Sequence, residues 1–144
     1  MTDRARIMLD WIQGEGVVLE TDPRQMARLQ DALVRVLALL PDLLPDVVAR
    51  GLVFFYVYRQ RDQENDLQDA DGICWYHALL DGEVLFAVGI SVEALRQGKR
   101  YATLVILHEL AHVLRDTGHD MAFHDVLNDL ICRYWLAGGG VRSK

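Results

Sequence analysis

Residues 101–112, YATLVILHELAH, place two histidines and a glutamate inside the stretch of the chain best suited to a buried helix. No other segment constrains the fold as tightly. A carboxylate or an imidazole set among aliphatic side chains costs several kcal/mol unless it is ion-paired, hydrogen-bonded or bound to a metal. The apolar pattern predicts a helix from about Arg100 to Arg115, so whatever packs around it must leave His108, Glu109 and His112 a partner. Histidines four residues apart lie one above the other on a helical face, so both imidazoles reach one ion and supply two ligands of a tetrahedral zinc. Glu109, about 100° further round the helix, is set to approach a water on that ion without displacing it, as a general base must.

An H-E-x-x-H pattern arises by chance in roughly 1% of chains with five His and six Glu. Spacing alone therefore does not carry the metal reading, and its place in the apolar helix does. The bland alternative is two hydrogen-bonded core histidines beside a glutamate that snorkels to water. For a third ligand His119 is preferred, because Gly118 permits a turn back towards the helix and Phe123 anchors the helix that follows. His124 and the oxygen donors Asp120, Asp125 and Asp129 stay as alternatives. No glutamate follows Glu109, which excludes a downstream Glu as third ligand. A group that stabilises an oxyanion is also needed, and Tyr101, Tyr76, His77 and His124 are the candidates.

The rest of the chain is read as one domain, 1–144. At 144 residues and 51% hydrophobic composition it buries enough surface to fold without staples, so a metal here points to chemistry. Cys74 and Cys132, far apart and outside any C-x-x-C pair, are expected as reduced, buried thiols. The longest apolar runs, Leu52–Tyr58 and Val84–Ile90, are seven residues each, against about twenty for a membrane span. Charges at Asp3, Arg4, Arg6 and Asp10 leave no room for a secretory signal, so the cytoplasm is the expected compartment. The net charge of −6 disfavours nucleic acid as a partner. The one basic trio, Arg96, Lys99 and Arg100, reads as a solvated turn.

Periodicity predicts helices over about 4–13 and from Pro23, capped by Asp22, to Leu40, the latter with Met26, Leu29, Leu33, Val36 and Leu37 on one face. Leu52–Tyr58 reads as a buried strand. Arg59–Gly72, half of it charged, reads as a solvated loop, its D-x-D-G lacking the ligands of a calcium loop. Ile73–Leu80 and Glu83–Ile90 flank Asp81-Gly82 as a hairpin with a two-residue type I′ turn. Ser91 caps a short helix to Gln97. A last helix carries Phe123, Val126, Leu127, Leu130, Ile131 and Tyr134 inward, and a mobile tail is expected from Gly138.

HELAH followed by GHDMAF resembles the zincin-type metallopeptidases of the SprT-like and WLM groups, over roughly residues 84–131 and most specifically at His108, Glu109, Leu110, His112, Gly118, His119, Asp120 and Phe123. Six residues separate His112 from His119 where five is usual in several of these groups. The resemblance implies an α+β, zincin-like fold, a small antiparallel or mixed curved sheet packed on an active-site helix with N- and C-terminal helices. It implies one catalytic Zn2+ held by His108, His112 and His119, with peptide hydrolysis through Glu109. It also implies an edge strand, here Val84–Gly89, that pairs with an extended peptide or protein substrate. Two further readings compete. One is a non-catalytic, zincin-like peptide-binding or regulatory module, against which Glu109 argues. The other is a metal-dependent ribonuclease of the bacterial rRNA-maturation type, which usually has glycine where this chain has Glu109. An HD-type phosphohydrolase, all-helical, is disfavoured by the strands between 52 and 90.

Overall fold

The carboxylate of Asp22 accepts a hydrogen bond from the Arg24 amide at 3.0 Å, and Pro23 takes the first helical position, where a missing N–H leaves nothing unsatisfied. This start launches the longest helix in a computed structural model that describes residues 3–59, 71–115 and 120–139. Helix α1 spans Asp3–Gly14, α2 Pro23–Leu39 and α3 Leu43–Arg50. Strands β1 (Leu52–Tyr58), β2 (Gly72–Ala78) and β3 (Val84–Ser91) follow, then α4 (Val92–Arg96), α5 (Lys99–Leu114), α6 (Met121–Tyr134) and a π-helical turn, Trp135–Gly139. The expected α+β class holds, with six α-helices and one three-stranded mixed sheet among the described residues. None of those helices is long and apolar enough to cross a membrane.

The sheet has the order β1-β3-β2, with β3 parallel to β1 and antiparallel to β2. Val84–Gly89 is therefore not an edge strand. Both its edges are paired, and it is buried from Leu85 onward, as a central strand covered on two faces must be. The edges are β1 and β2. The hairpin turn also differs from expectation. Leu79 N donates to Glu83 O at 2.7 Å, which leaves Leu80, Asp81 and Gly82 in the loop. Among the described residues no non-glycine residue has positive φ, so Asp81 does not adopt the type I′ geometry, and in this loop Gly82, at φ 90°, does the left-handed work. The Asp81 carboxylate instead accepts from Glu83 N at 2.9 Å.

Alternation along the strands divides the core in two. On one face Met8, Ile12, Tyr56, Tyr58, Leu85 and Ala87 join α1 to the sheet. Tyr56 lies across Gly89, where a Cβ would sit 2.4 Å from its ring. On the other face Val57, Phe86, Val88 and Ile90 meet α2, α3, α5 and α6. Helix α5 lies in the middle of that layer, touching α2, α3, α4, α6, β2 and β3. Arg50 at the end of α3 donates to the Val113 carbonyl at 3.2 Å, placing a cation at the negative end of α5. Ser91 caps α4 through Ala94 N at 3.0 Å, as its type predicts.

Helix α3 was not anticipated; Pro45 falls in its first turn, where a missing N–H is no loss. Neither cysteine forms a disulfide, and neither is buried as expected: Cys74 is half-buried and Cys132 exposed. Cys132 sits two residues from Leu130 and from Tyr134, which turns it to the outer side of α6. Met26 likewise leaves the core and is 40% exposed, while Gln25 is buried in its place. Residues 60–70, which hold most of the expected polar loop, and 140–144 of the expected tail lie outside the described residues.

Phe86, 1% exposed on the central strand, is expected to be among the costliest truncations. Phe86→Ala should lower the unfolding free energy by about 3–5 kcal/mol, read as a shift in urea midpoint at unchanged slope.

Candidate metal centre

Helix α5 is apolar almost all round, and a helix of that kind is stable only when surrounded. Ala102, Thr103, Ile106, Leu107, Leu110, Ala111 and Val113 are all buried. His108 and His112, one turn apart, are half-buried on its remaining stripe. Their ring centroids are 5.0 Å apart. Ligand atoms of His108, Glu109 and His112 lie within 4.8 Å of one another, the one such group found among the described residues.

The two imidazoles are set against α6. Phe123, fully buried, has its ring centroid 5.1 Å from His108 and 4.2 Å from His112. Its own position is fixed by the cap of that helix, where the Asp120 carboxylate accepts from Phe123 N at 2.8 Å. The expectation that Phe123 anchors the last helix is met, and the contact with both rings adds to it.

Glu109 faces the sheet. It is 3% exposed, and its Oε2 is the one buried side-chain oxygen or nitrogen without a hydrogen-bond partner among the described residues. It does not snorkel to water. Burial pushes its carboxyl up to about 8, because the charged form loses its hydration. A cation within about 4–6 Å favours the ionised form again. Two imidazoles on one helical face are donors that a metal such as zinc accepts, and a cation held by them would offset the charge of the unsatisfied carboxyl. The residues present therefore fit a metal.

The other expected site residues are less closely placed. His119 lies outside the described residues, as do Asp116, Thr117 and Gly118. His124 is exposed on α6, its ring centroid 5.5 Å from that of Phe123, and is not part of the His108–Glu109–His112 group. Asp125 and Asp129 are exposed as well, and Asp129 pairs with Arg133 at 3.3 Å. Tyr101, in the first turn of α5, donates its hydroxyl to the Asp71 carboxylate; that bond and burial raise its pKa. Tyr76 packs edge-on to Phe86 on the helix side of the sheet, whereas His77 points to the other side, against Trp11.

Two neighbours of the site escaped the sequence reading. Asp71 and Gly72 look like the end of a polar loop, yet Gly72 opens β2 directly against Glu109. The available signal was a glycine at the start of an apolar strand, which marks close approach of another group. No protein-family model matches the chain, and no curated protein or solved structure matches it either.

The raised carboxyl gives a stability signature. Between the ordinary value of 4.5 and about 8 the folded state keeps a proton on Glu109 that the unfolded state has lost. Stability from this group is thus full below pH 4.5 and disappears as pH rises towards 8. Chelator-treated protein should lose on the order of a few kcal/mol across that window. Glu109→Gln should flatten this part of the profile in denaturant titrations run at successive pH values.

Proposed function

We propose that the chain is a zinc-dependent metallopeptidase of zincin-like fold, with His108, His112 and the sequence-assigned His119 as metal ligands and Glu109 as general base. The observation that carries this reading is a buried carboxyl, one oxygen of which is unpartnered among the described residues, beside two imidazoles on one helix. A structural zinc prefers four closed protein ligands and gains nothing from such a glutamate. The resemblance of HELAH and GHDMAF to the SprT-like and WLM groups points the same way, as does a mixed sheet packed on the helix that carries the motif.

Zinc held there supplies a Lewis acid that makes water acidic near neutral pH and polarises a carbonyl. The chain's own groups do the rest. His108 and His112 present ring nitrogens from one face of a helix that is immobilised on all its other sides. Phe123 restricts the tilt of both rings. The Glu109 carboxylate, shielded from bulk water, takes a proton from the attacking water and delivers it to the leaving amine nitrogen. Burial on the sheet side keeps that carboxylate from competing as a surface ion. An extended peptide substrate would pair with β2, the edge strand that lies against α5, rather than with Val84–Gly89.

The test is metal content together with turnover of a fluorogenic peptide library. Wild-type protein is expected to hold about one zinc and to cleave. Glu109→Gln should keep the zinc and lose about 10²–10⁴-fold in kcat. His108→Ala and His119→Ala should weaken zinc binding, whereas His124→Ala should not. Undiminished cleavage by Glu109→Gln, or no zinc bound at micromolar concentrations, contradicts the reading.

A further inference from the structure

Glu109 has a neighbour whose lack of a side chain is not explained by backbone conformation. Among the described residues the glycines with positive φ are Gly16, Gly51, Gly82, Gly98 and Gly138, and Gly72 is not one of them. Its backbone is therefore open to any residue. What a side chain meets there is the active helix. A Cβ on Gly72 would lie 2.8 Å from Glu109 Cγ, 3.1 Å from Glu109 Cδ and 2.8 Å from Val105 Cγ1. These separations are well inside van der Waals contact, so something has to move.

The strand is poorly placed to yield. Gly72 pairs with Ile90 on the central strand. Just before it, the Asp71 carbonyl accepts from Ser91 N at 2.9 Å, and the Asp71 carboxylate accepts from the Tyr101 hydroxyl in the first turn of α5. The start of β2 is thus tied to β3 and to the same helix that carries Glu109. On the helix side, Val105 is β-branched and held to essentially one χ1 rotamer. Glu109, with three side-chain torsions, is the softest of the groups in contact.

We propose that Gly72 is a positioning residue for Glu109: its bare backbone makes the slot in which the carboxyl rests, and the Asp71–Tyr101 hydrogen bond keeps that slot at a fixed distance from α5. This rests on Glu109 acting as the general base. Tyr101 consequently acts through the strand, as a tether, and not on the substrate.

The experiment compares wild type, Gly72→Ala, Val105→Ala and the double variant in the full chain. A misplacement of about 1 Å costs on the order of 10²-fold. Gly72→Ala should accordingly keep its zinc and its KM within about two-fold while kcat falls at least about ten-fold. Val105→Ala alone should retain activity. Combined with Gly72→Ala it removes the obstruction at Val105 but leaves the one at Glu109, so kcat of the double variant should stay at least about ten-fold below that of Val105→Ala. An unchanged kcat in Gly72→Ala, or a loss that Val105→Ala fully relieves, which would trace it to Val105 and not to Glu109, overturns the proposal. Should Gly72→Ala fail to fold, Tyr101→Phe, which cuts the tether without adding volume, should show the same loss in kcat at constant KM. Unchanged kcat there would overturn it equally. Crystal structures separate this claim from the peptidase reading. If wild type cleaves no peptide, the proposal still requires the Glu109 carboxyl to be displaced by about 1 Å in Gly72→Ala and in the double variant, and to keep its place in Val105→Ala. A carboxyl that stays in place in Gly72→Ala contradicts it.

Discussion

A carboxyl buried against a sheet, with one oxygen unpartnered among the described residues, sets the terms for the rest of this molecule. Helix α5 has to be enclosed, because it is apolar on nearly every side, and enclosure takes Glu109 out of water with it. The penalty for burying that group is several kcal/mol in the ionised form. It is met either by keeping a proton or by a nearby positive charge. The two half-buried imidazoles next to it offer the means of holding such a charge. Packing and chemistry are coupled at this point: the contacts that stabilise α5 also make its carboxyl unusual.

The surrounding architecture serves that arrangement from two directions. From the C-terminal side, the Asp120 cap places Phe123 against both histidine rings. From the sheet side, Gly72 gives Glu109 its room, and Asp71 binds both Ser91 on β3 and Tyr101 on α5. Arg50 closes the far end of the helix through the Val113 carbonyl. Few of these contacts are strong alone. Their effect is to remove freedom from the groups that would meet a metal and its water.

How much of this was legible depended on whether a feature is local. Asp22-Pro23 and Ser91 act on amides two or three residues away, and such caps are readable from neighbouring letters; Asp120 is a cap of the same kind, though the sequence reading weighs it only as a metal ligand. The runs at 52–58 and 84–90 became strands for the same reason, and HELAH declared its shared face through helical geometry. Sheet order is not local. Nothing in Val84–Gly89 alone distinguishes a central strand from an edge, since its uninterrupted apolar run fits either until β1 is placed beside it. The hairpin was legible and its turn type was not, because Asp-Gly serves a three-residue loop as well as a two-residue one. Helix α3 is short and carries Pro45, which its first turn tolerates. Gly72 is the clearest case. Its importance lies in a residue 37 positions away, and only the close approach of β2 to α5 exposes it.

The central claim is that His108 and His112 hold a catalytic zinc which Glu109 serves without binding. Anomalous diffraction at the zinc edge, on crystals grown with one equivalent of zinc, addresses it most directly. The account predicts a single peak with ring nitrogens of His108 and His112 at about 2.0–2.1 Å and the Glu109 carboxylate beyond bonding distance. A peak elsewhere in the molecule, or one in which Glu109 is itself a ligand, would contradict it.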